Sequence, residues 1–135
     1  MSDAPNTAKD FPPIDVSSSR FSYPAPLPAM YGVKGYEDLC RTLSAAYDQA
    51  TKGKGSERHA DGKPFTDQPI MTITRRRGVG FPLGQIEKKS DEADGMIRRG
   101  EYGAAIRELH GVMVYAAALA IRIAEIERLE KEGSK

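Results

Sequence analysis

The sequence predicts an all-α chain: a C-terminal antiparallel helical hairpin with a short N-terminal helix and an extended Pro-rich N-terminal arm. Apolar residues recur at steps of three and four from Tyr102 to Leu129, which is the spacing of one helix face. A second helical segment ends directly before them, at Gly100. Residues 70–74 could also form a short β-strand, but no other segment of the sequence offers a strand to pair with it. An isolated strand would leave its backbone groups unpaired, so a helix is expected there. With 135 residues there is material for one core, so we expect an arm at 1–31 and a single all-α domain at 32–135.

Composition excludes several classes of function. Lys and Arg number 20 against 19 Asp and Glu, so no global charge draws the chain to nucleic acid or membrane. One cysteine, Cys40, excludes a disulfide framework and a Cys-rich zinc module. The two histidines, His59 and His110, are too few for a His-based metal centre. We therefore expect no metal, no cofactor and no catalytic residue. The N-terminal residues lack the pattern of a signal peptide, so we expect a cytoplasmic protein.

The arm, residues 1–31, is rich in proline and serine. Proline fixes φ and removes a hydrogen-bond donor, so neither a helix nor a central strand fits this segment. Its apolar and aromatic residues distinguish it from a purely solvating tail. We expect the arm to cover its own helices, or to clasp a neighbouring subunit or a protein partner. These residues are Phe11, Ile14, Phe21, Tyr23, Leu27, Met30 and Tyr31.

Two shorter helices are predicted before the hairpin. The first covers about 36–51, where one apolar stripe runs from Tyr36 to Ala50 and includes Cys40, which we interpret as a small buried residue. A Gly-rich, basic and polar loop follows at 52–64. The second helix covers about 68–77, because Asp67 suits an N-cap and Pro69 is tolerated in a first helical turn.

The hairpin is predicted to consist of helices at about 82–99 and 101–131. Pro82 suits the first turn and Gly100 the stop. The turn between the helices is short, so they pack antiparallel.

The last helix is too long and too apolar for its partner to hide. At 1.5 Å per residue it spans about 45 Å against about 27 Å for its partner, so Ile123, Ile126 and Leu129 overhang. Residues 111–121 are apolar on every side, which predicts burial on every side. The uncharged stretch from Leu109 to Ile121 covers about 20 Å, which is too short to span a bilayer. We therefore expect homo-oligomerisation through this helix and no membrane contact. The expected interface residues are Val112, Tyr115, Ala116, Leu119, Ile123 and Ile126.

An arginine- and glycine-rich turn joins the second and third helices. Arginines bind phosphate in a bidentate manner, glycines allow close backbone approach, and a helix N-terminus favours anions. The spacing of its glycines matches neither a dinucleotide-binding fingerprint nor a Walker loop. We expect a nucleotide or other anionic ligand here, unless the arginines are only a solvated helix end. The predicted ligand-binding residues are Arg75, Arg76, Arg77, Gly78, Gly80, Gly84 and Lys63.

Carboxylates on the two hairpin helices suggest a different site. Glu87, Asp91 and Asp94 share one face of the third helix, and Glu108 lies on the fourth. The stretch from Arg107 to Val112 resembles the E-L-x-D segment of all-α nucleoside triphosphate pyrophosphohydrolases of the MazG type. The resemblance covers about a third of the chain and implies magnesium-dependent hydrolysis.

Two of the four ligand positions in that family differ here. Gly111 stands at the last ligand position, and Lys88 and Lys89 stand three residues before Asp91 and Glu92. The alternative interpretation is that the charged residues of the third helix form a face exposed to solvent.

Three functions follow as hypotheses. The first is a non-enzymatic, oligomeric helical accessory protein, of the layout found in phage and mobile-element proteins, that blocks a host partner or sequesters a nucleotide-like ligand at the Arg/Gly turn. This rests on analogy of architecture. The second is a degenerate MazG-like pyrophosphohydrolase. The third is a nucleic-acid-binding protein that uses the basic segment from Lys52 to Arg77, whose affinity would fall steeply with salt.

Overall fold

The computed structural model describes residues 32–52 and 62–133, and there the chain is all-α, as predicted. Four α-helices follow one another: α1 (Glu37–Lys52), α2 (Pro69–Arg77), α3 (Gly80–Arg98) and α4 (Tyr102–Gly133), with a 3₁₀ turn at Phe65–Asp67. The described part contains no strand. The predicted arm at 1–31 and most of the predicted loop at 52–64 lie outside the described residues.

The chain divides into two compact units, and the boundary between them lies within α1, after Thr42. In the described part of the first, the backbone N–H of Gly35 (φ 89°) donates to the Glu37 carboxylate at 3.0 Å. This bond fixes the start of α1, one residue later than predicted. Cys40 is buried, in agreement with its interpretation as a small apolar residue. A shallow apolar depression of about 300 Å³ is lined by Val33, Tyr36, Leu39 and Cys40.

The second unit begins at Leu43 and holds the helical hairpin. The turn between α3 and α4 closes through a Schellman motif, in which the N–H of Glu101 donates to the Met96 carbonyl at 2.8 Å and that of Gly100 to Ile97 at 3.0 Å. Gly100 has a φ of 74°, which favours glycine, so its predicted role as the stop signal is confirmed. Because only residues 99–101 join the helices, α3 and α4 lie antiparallel.

Small residues allow α3 and α4 to approach closely. Ala93, Ala105 and Ala118 are at most 2% exposed, and no larger side chain of the hairpin is as deeply buried except Pro82. Gly111 adds a notch in α4 that Lys89 of α3 fills with its aliphatic stem. The Lys89 ammonium lies 3.5 Å from the Glu108 carboxylate and 5.9 Å from the Tyr115 ring centroid.

Helix α2 covers part of the predicted overhang of α4. Its Met71 and Thr74 are fully buried, and its Arg75 binds Glu125 of α4. Ile126 is consequently half-buried, whereas Ile123 and Leu129 are each 52% exposed, as the difference in helix length predicts. Gln68, rather than the predicted Asp67, precedes the first residue of α2, because Asp67 belongs to the 3₁₀ turn.

Replacing glycines in α3 and α4 tests the fit of Lys89 into its notch. A Cβ at Gly84 meets nothing within 4 Å, so Gly84→Ala should stabilise the fold by about 0.5–1 kcal/mol through helix propensity. A Cβ at Gly111 would lie 3.0 Å from Lys89 Cδ. Gly111→Ala should therefore raise the free energy of unfolding clearly less than Gly84→Ala, because the Lys89 side chain must move away. Chemical denaturation measures both values, and equal gains would contradict this packing.

Candidate functional site

The structure gives Arg75, the first of the three predicted ligand-binding arginines, a partner within the chain. Its guanidinium donates to both Glu125 carboxylate oxygens, at 3.0 and 2.8 Å, and to the Thr66 carbonyl at 2.7 Å. The Arg122 guanidinium lies 3.3 Å from the same carboxylate. A bidentate, partly buried pair of this kind holds elements together. Arg75 therefore ties α2 to α4 and to the segment before α2.

This arrangement makes the charge of Glu125 matter for stability. The hydrogen bonds from Arg75 lower the pKa of the Glu125 carboxyl below its ordinary value of 4.5, against the opposing effect of its burial. A lowered folded-state pKa stabilises the fold above the unfolded-state pKa. That stabilisation is lost as the pH falls through the folded-state value.

The other predicted ligand-binding residues lie around the end of α2 and the start of α3. Arg76 and Arg77 are exposed, and neither forms an ion pair with any described residue. Gly78 takes a φ of 93° and ends α2 by donating to the Thr74 carbonyl at 2.8 Å. Three further predicted residues are exposed: Gly80, Gly84 and Lys63.

The start of α3 has few backbone donors left for an anion. The N–H of Phe81 donates to Gly78 and that of Leu83 to Val79, while Pro82 has none. Any ligand here would therefore depend mainly on the two exposed arginine side chains.

The carboxylates predicted to form a second site on the two hairpin helices do not converge. Glu87, Asp91 and Asp94 are exposed on α3, and the Glu108 carboxylate is paired with Lys89. Within residues 32–52 and 62–133, no three His, Cys, Asp or Glu side chains lie close enough together to hold a metal ion. His110 shares a hydrogen bond with the Gln49 side chain at 3.1 Å, in agreement with a structural role for this histidine.

The predicted interface residues of α4 divide between two faces. Tyr115 packs edge-on against Phe81, at 6.0 Å between ring centroids, and Val112, Leu119 and Ile126 are half-buried. Burial raises the pKa of the Tyr115 phenol. Ala116 and Ile123 instead lie on the exposed side of the helix.

A second apolar face of α4 is exposed at six of its seven positions, and Met113 is partly covered by the described residues. It follows the helix at steps of four and three residues, and we call it the outer stripe. Tyr102 is 65% exposed, Ile106 and Ile123 are each 52% exposed, and Leu109 is 39% exposed. Its seven residues are Tyr102, Ile106, Leu109, Met113, Ala116, Ala120 and Ile123.

The covered face of α4 contains ion pairs as well as apolar side chains, whereas the outer stripe is uncharged. The side chains of Glu108, Arg122 and Glu125 face the chain's own helices and are at most 24% exposed. The outer stripe contains no charged residue from end to end. A helix on the surface of a monomer ordinarily shows the opposite arrangement. The sequence alone does not separate these faces, because both have the same three-and-four spacing.

Helix α4 is also long and apolar enough, by length and composition alone, to cross a membrane. The mean hydropathy of its most apolar 18-residue window is 1.5, and only 11% of that window is buried. The core helix of a protein outside any membrane can pass the same test. The shape and the charged neighbours of the outer stripe decide which contact it favours.

Comparison with known proteins identifies no relative. No protein-family model matches the sequence, and neither the curated proteins nor the solved structures searched contain a significant match.

Substituting Arg75 tests its structural role, and the same substitution at Arg76 is the control. Arg75→Ala should lower the free energy of unfolding by about 1–2 kcal/mol at pH 7, because Glu125 loses its bidentate partner. Arg76→Ala should change it by less than about 0.5 kcal/mol. The deficit of Arg75→Ala should shrink in urea denaturation below pH 4.5, as Glu125 becomes protonated. Equal losses in the two variants would refute the assignment.

Proposed function

We propose that this protein is a non-enzymatic helical accessory protein that acts by binding, and that it self-associates through the outer stripe of α4. The observation that carries the proposal is the exposed, uncharged outer stripe of α4. Large apolar side chains face away from the chain along more than twenty residues, while the helix's ion pairs face inward.

The size of the outer stripe supports this proposal. From Tyr102 to Ile123 it extends about 32 Å at 1.5 Å per residue, and with a helix about 10 Å wide it covers about 300 Å². Contiguous apolar patches of this size on a lone protein commonly serve binding. Two such faces bury about 600 Å² together, which is below the range of permanent complexes. We therefore propose a dimer that dissociates on dilution.

A lipid bilayer fits this surface less well than protein does. Spanning the hydrocarbon core would carry the ion pairs at Glu108 and Glu125 into it, at a substantial free-energy cost. Binding flat on a bilayer surface favours Lys and Arg beside the apolar face. Along one flank the stripe has Gly103, His110, Ala117 and Ala124, with Arg107 as the single basic side chain, and Glu127 follows its end.

Catalysis by the carboxylates finds no support in the geometry. Glu108, the carboxylate of the MazG-like segment, is paired with Lys89. The acidic residues of α3 are exposed and lie apart from it. These contacts favour a structural role for Glu108, which is why binding is proposed rather than hydrolysis.

Two substitutions on α4 with matched exposure test self-association. Ile106 lies on the outer stripe and Leu129 lies off it, and each is 52% exposed. Ile106→Lys should weaken dimerisation by about 1.5–3 kcal/mol, roughly ten- to a hundredfold in Kd, whereas Leu129→Lys should leave it unchanged. Sedimentation equilibrium measures both, with circular dichroism as the check on folding. A wild-type mass of one chain at every concentration would refute the proposal.

A second candidate activity rests on the exposed arginines at the end of α2. Arg76 and Arg77 offer two guanidinium groups beside the start of α3, and neither is held by a described carboxylate. Guanidinium groups bind phosphate oxygens in a bidentate manner. We propose that these two residues, without Arg75, contact a nucleotide or other anionic ligand. A more general nucleic-acid contact through the same side chains would share this chemistry.

Substituting the two exposed arginines tests the proposed binding of an anionic ligand without disturbing the fold. The double variant Arg76→Ala/Arg77→Ala should lower the affinity for fluorescently labelled ATP at least about tenfold, because each charge-assisted contact contributes about 1.5–3 kcal/mol. Arg128→Ala, a change of the same kind on α4, is the control. Fluorescence anisotropy measures the affinity. Wild-type binding by the double variant, or no binding by the wild type, would remove this candidate.

A further inference from the structure

We infer that the second copy lies antiparallel to the first along α4, with the two-fold axis close to Met113. This inference rests on the proposed self-association and specifies its geometry. Met113 lies at the middle of the outer stripe, since Tyr102 is eleven residues before it and Ile123 ten residues after it. In an antiparallel pair, positions equally far from the axis lie at the same level.

The distribution of side-chain sizes along the outer stripe favours this direction. The half before Met113 carries Tyr102, Ile106 and Leu109, whereas Ala116 and Ala120 stand in the half after it. An antiparallel copy places Ile106 near the level of Ala120 and Leu109 near that of Ala116, so these two large side chains of each copy meet small ones. At the ends of the stripe, Tyr102 meets Ile123. Interdigitation of large and small residues lets helices pack closely along their whole length.

A parallel copy would pack the same stripe poorly. Each large residue would face its own equivalent, so that Ile106 meets Ile106 and Leu109 meets Leu109. The alanines would also face each other, at Ala116 and Ala120. Large pairs from Tyr102 to Met113, and again at Ile123, hold the two helices apart, and the alanine pairs between them would then leave a gap.

Charges beyond the stripe favour the same direction. Glu127 and Glu130 continue the spacing of the outer stripe and are exposed. A parallel copy sets each glutamate beside its equivalent, where like charges repel. An antiparallel copy brings Glu127 to the level of Arg98 and Arg99 of the other chain, both of which are exposed. Their present ion pairs, to Asp94 and Glu101, are surface pairs that stabilise little.

Single-cysteine cross-linking distinguishes the two directions. In a Cys40→Ala background, the variants Met113→Cys, Tyr102→Cys and Ile123→Cys are each treated with a short bismaleimide. In the antiparallel pair only Met113→Cys lies near its own equivalent. Two Tyr102 positions, or two Ile123 positions, are separated by about 30 Å along the helix. Leu129→Cys, off the stripe, is the control for random collision.

We expect covalent dimers from Met113→Cys alone, none from Tyr102→Cys or Ile123→Cys alone, and dimers from these two variants mixed. Self-dimers of Tyr102→Cys and Ile123→Cys without mixed dimers would overturn the antiparallel inference and leave self-association standing. A dimeric mass by sedimentation with no cross-link at any of the three sites would also overturn it, since another surface then pairs. A monomeric mass, with or without flotation on phosphatidylcholine vesicles, would overturn both proposals.

Discussion

The arrangement of this protein depends on how α4 distributes its polar and apolar residues. Its charged side chains at Glu108, Arg122 and Glu125 point toward α2 and α3, where Lys89 and Arg75 meet them. Its longest uncharged face points away. Partly buried charges are costly unless they are paired, so the ion pairs fix which face of α4 the hairpin covers. The outer stripe is left exposed as a consequence.

Much of the fold follows from local signals in the sequence. All four predicted helices are present, and their bounds differ from the predictions by at most two residues. The end of α2 matches its prediction, and its cause is Gly78 with a φ of 93°, while the boundaries at Gly100, with its φ of 74°, differ by one residue. The start of α3 is less accurate, because Pro82 is tolerated at several positions of a first turn. The role of α2 as a cover for the overhanging α4 could not be predicted, because it depends on contacts fifty residues apart.

The candidate sites were predicted less well, for two physical reasons. A run of three arginines does not indicate which one forms an ion pair with a distant carboxylate. In the structure it is Arg75 that pairs with Glu125. When two apolar faces of one helix have the same spacing, the sequence of that helix alone does not indicate which face the rest of the chain covers. Val112 and Tyr115 belong to the covered side, whereas Ile123 belongs to the open one. The absence of charge between Tyr102 and Ile123 on one face was the available signal, and it becomes meaningful once the partners of Glu108 and Glu125 are known.

Hydroxyl-radical footprinting of the wild-type protein over a range of concentrations tests the central claim most directly. If a second copy covers the outer stripe, oxidation of Tyr102, Leu109 and Met113 should fall as the protein concentration rises. Oxidation of Leu129, which is 52% exposed and off the stripe, should stay constant. Reactivity at the three stripe residues that does not change with concentration would contradict the account, whether they are open to solvent throughout or covered by their own chain.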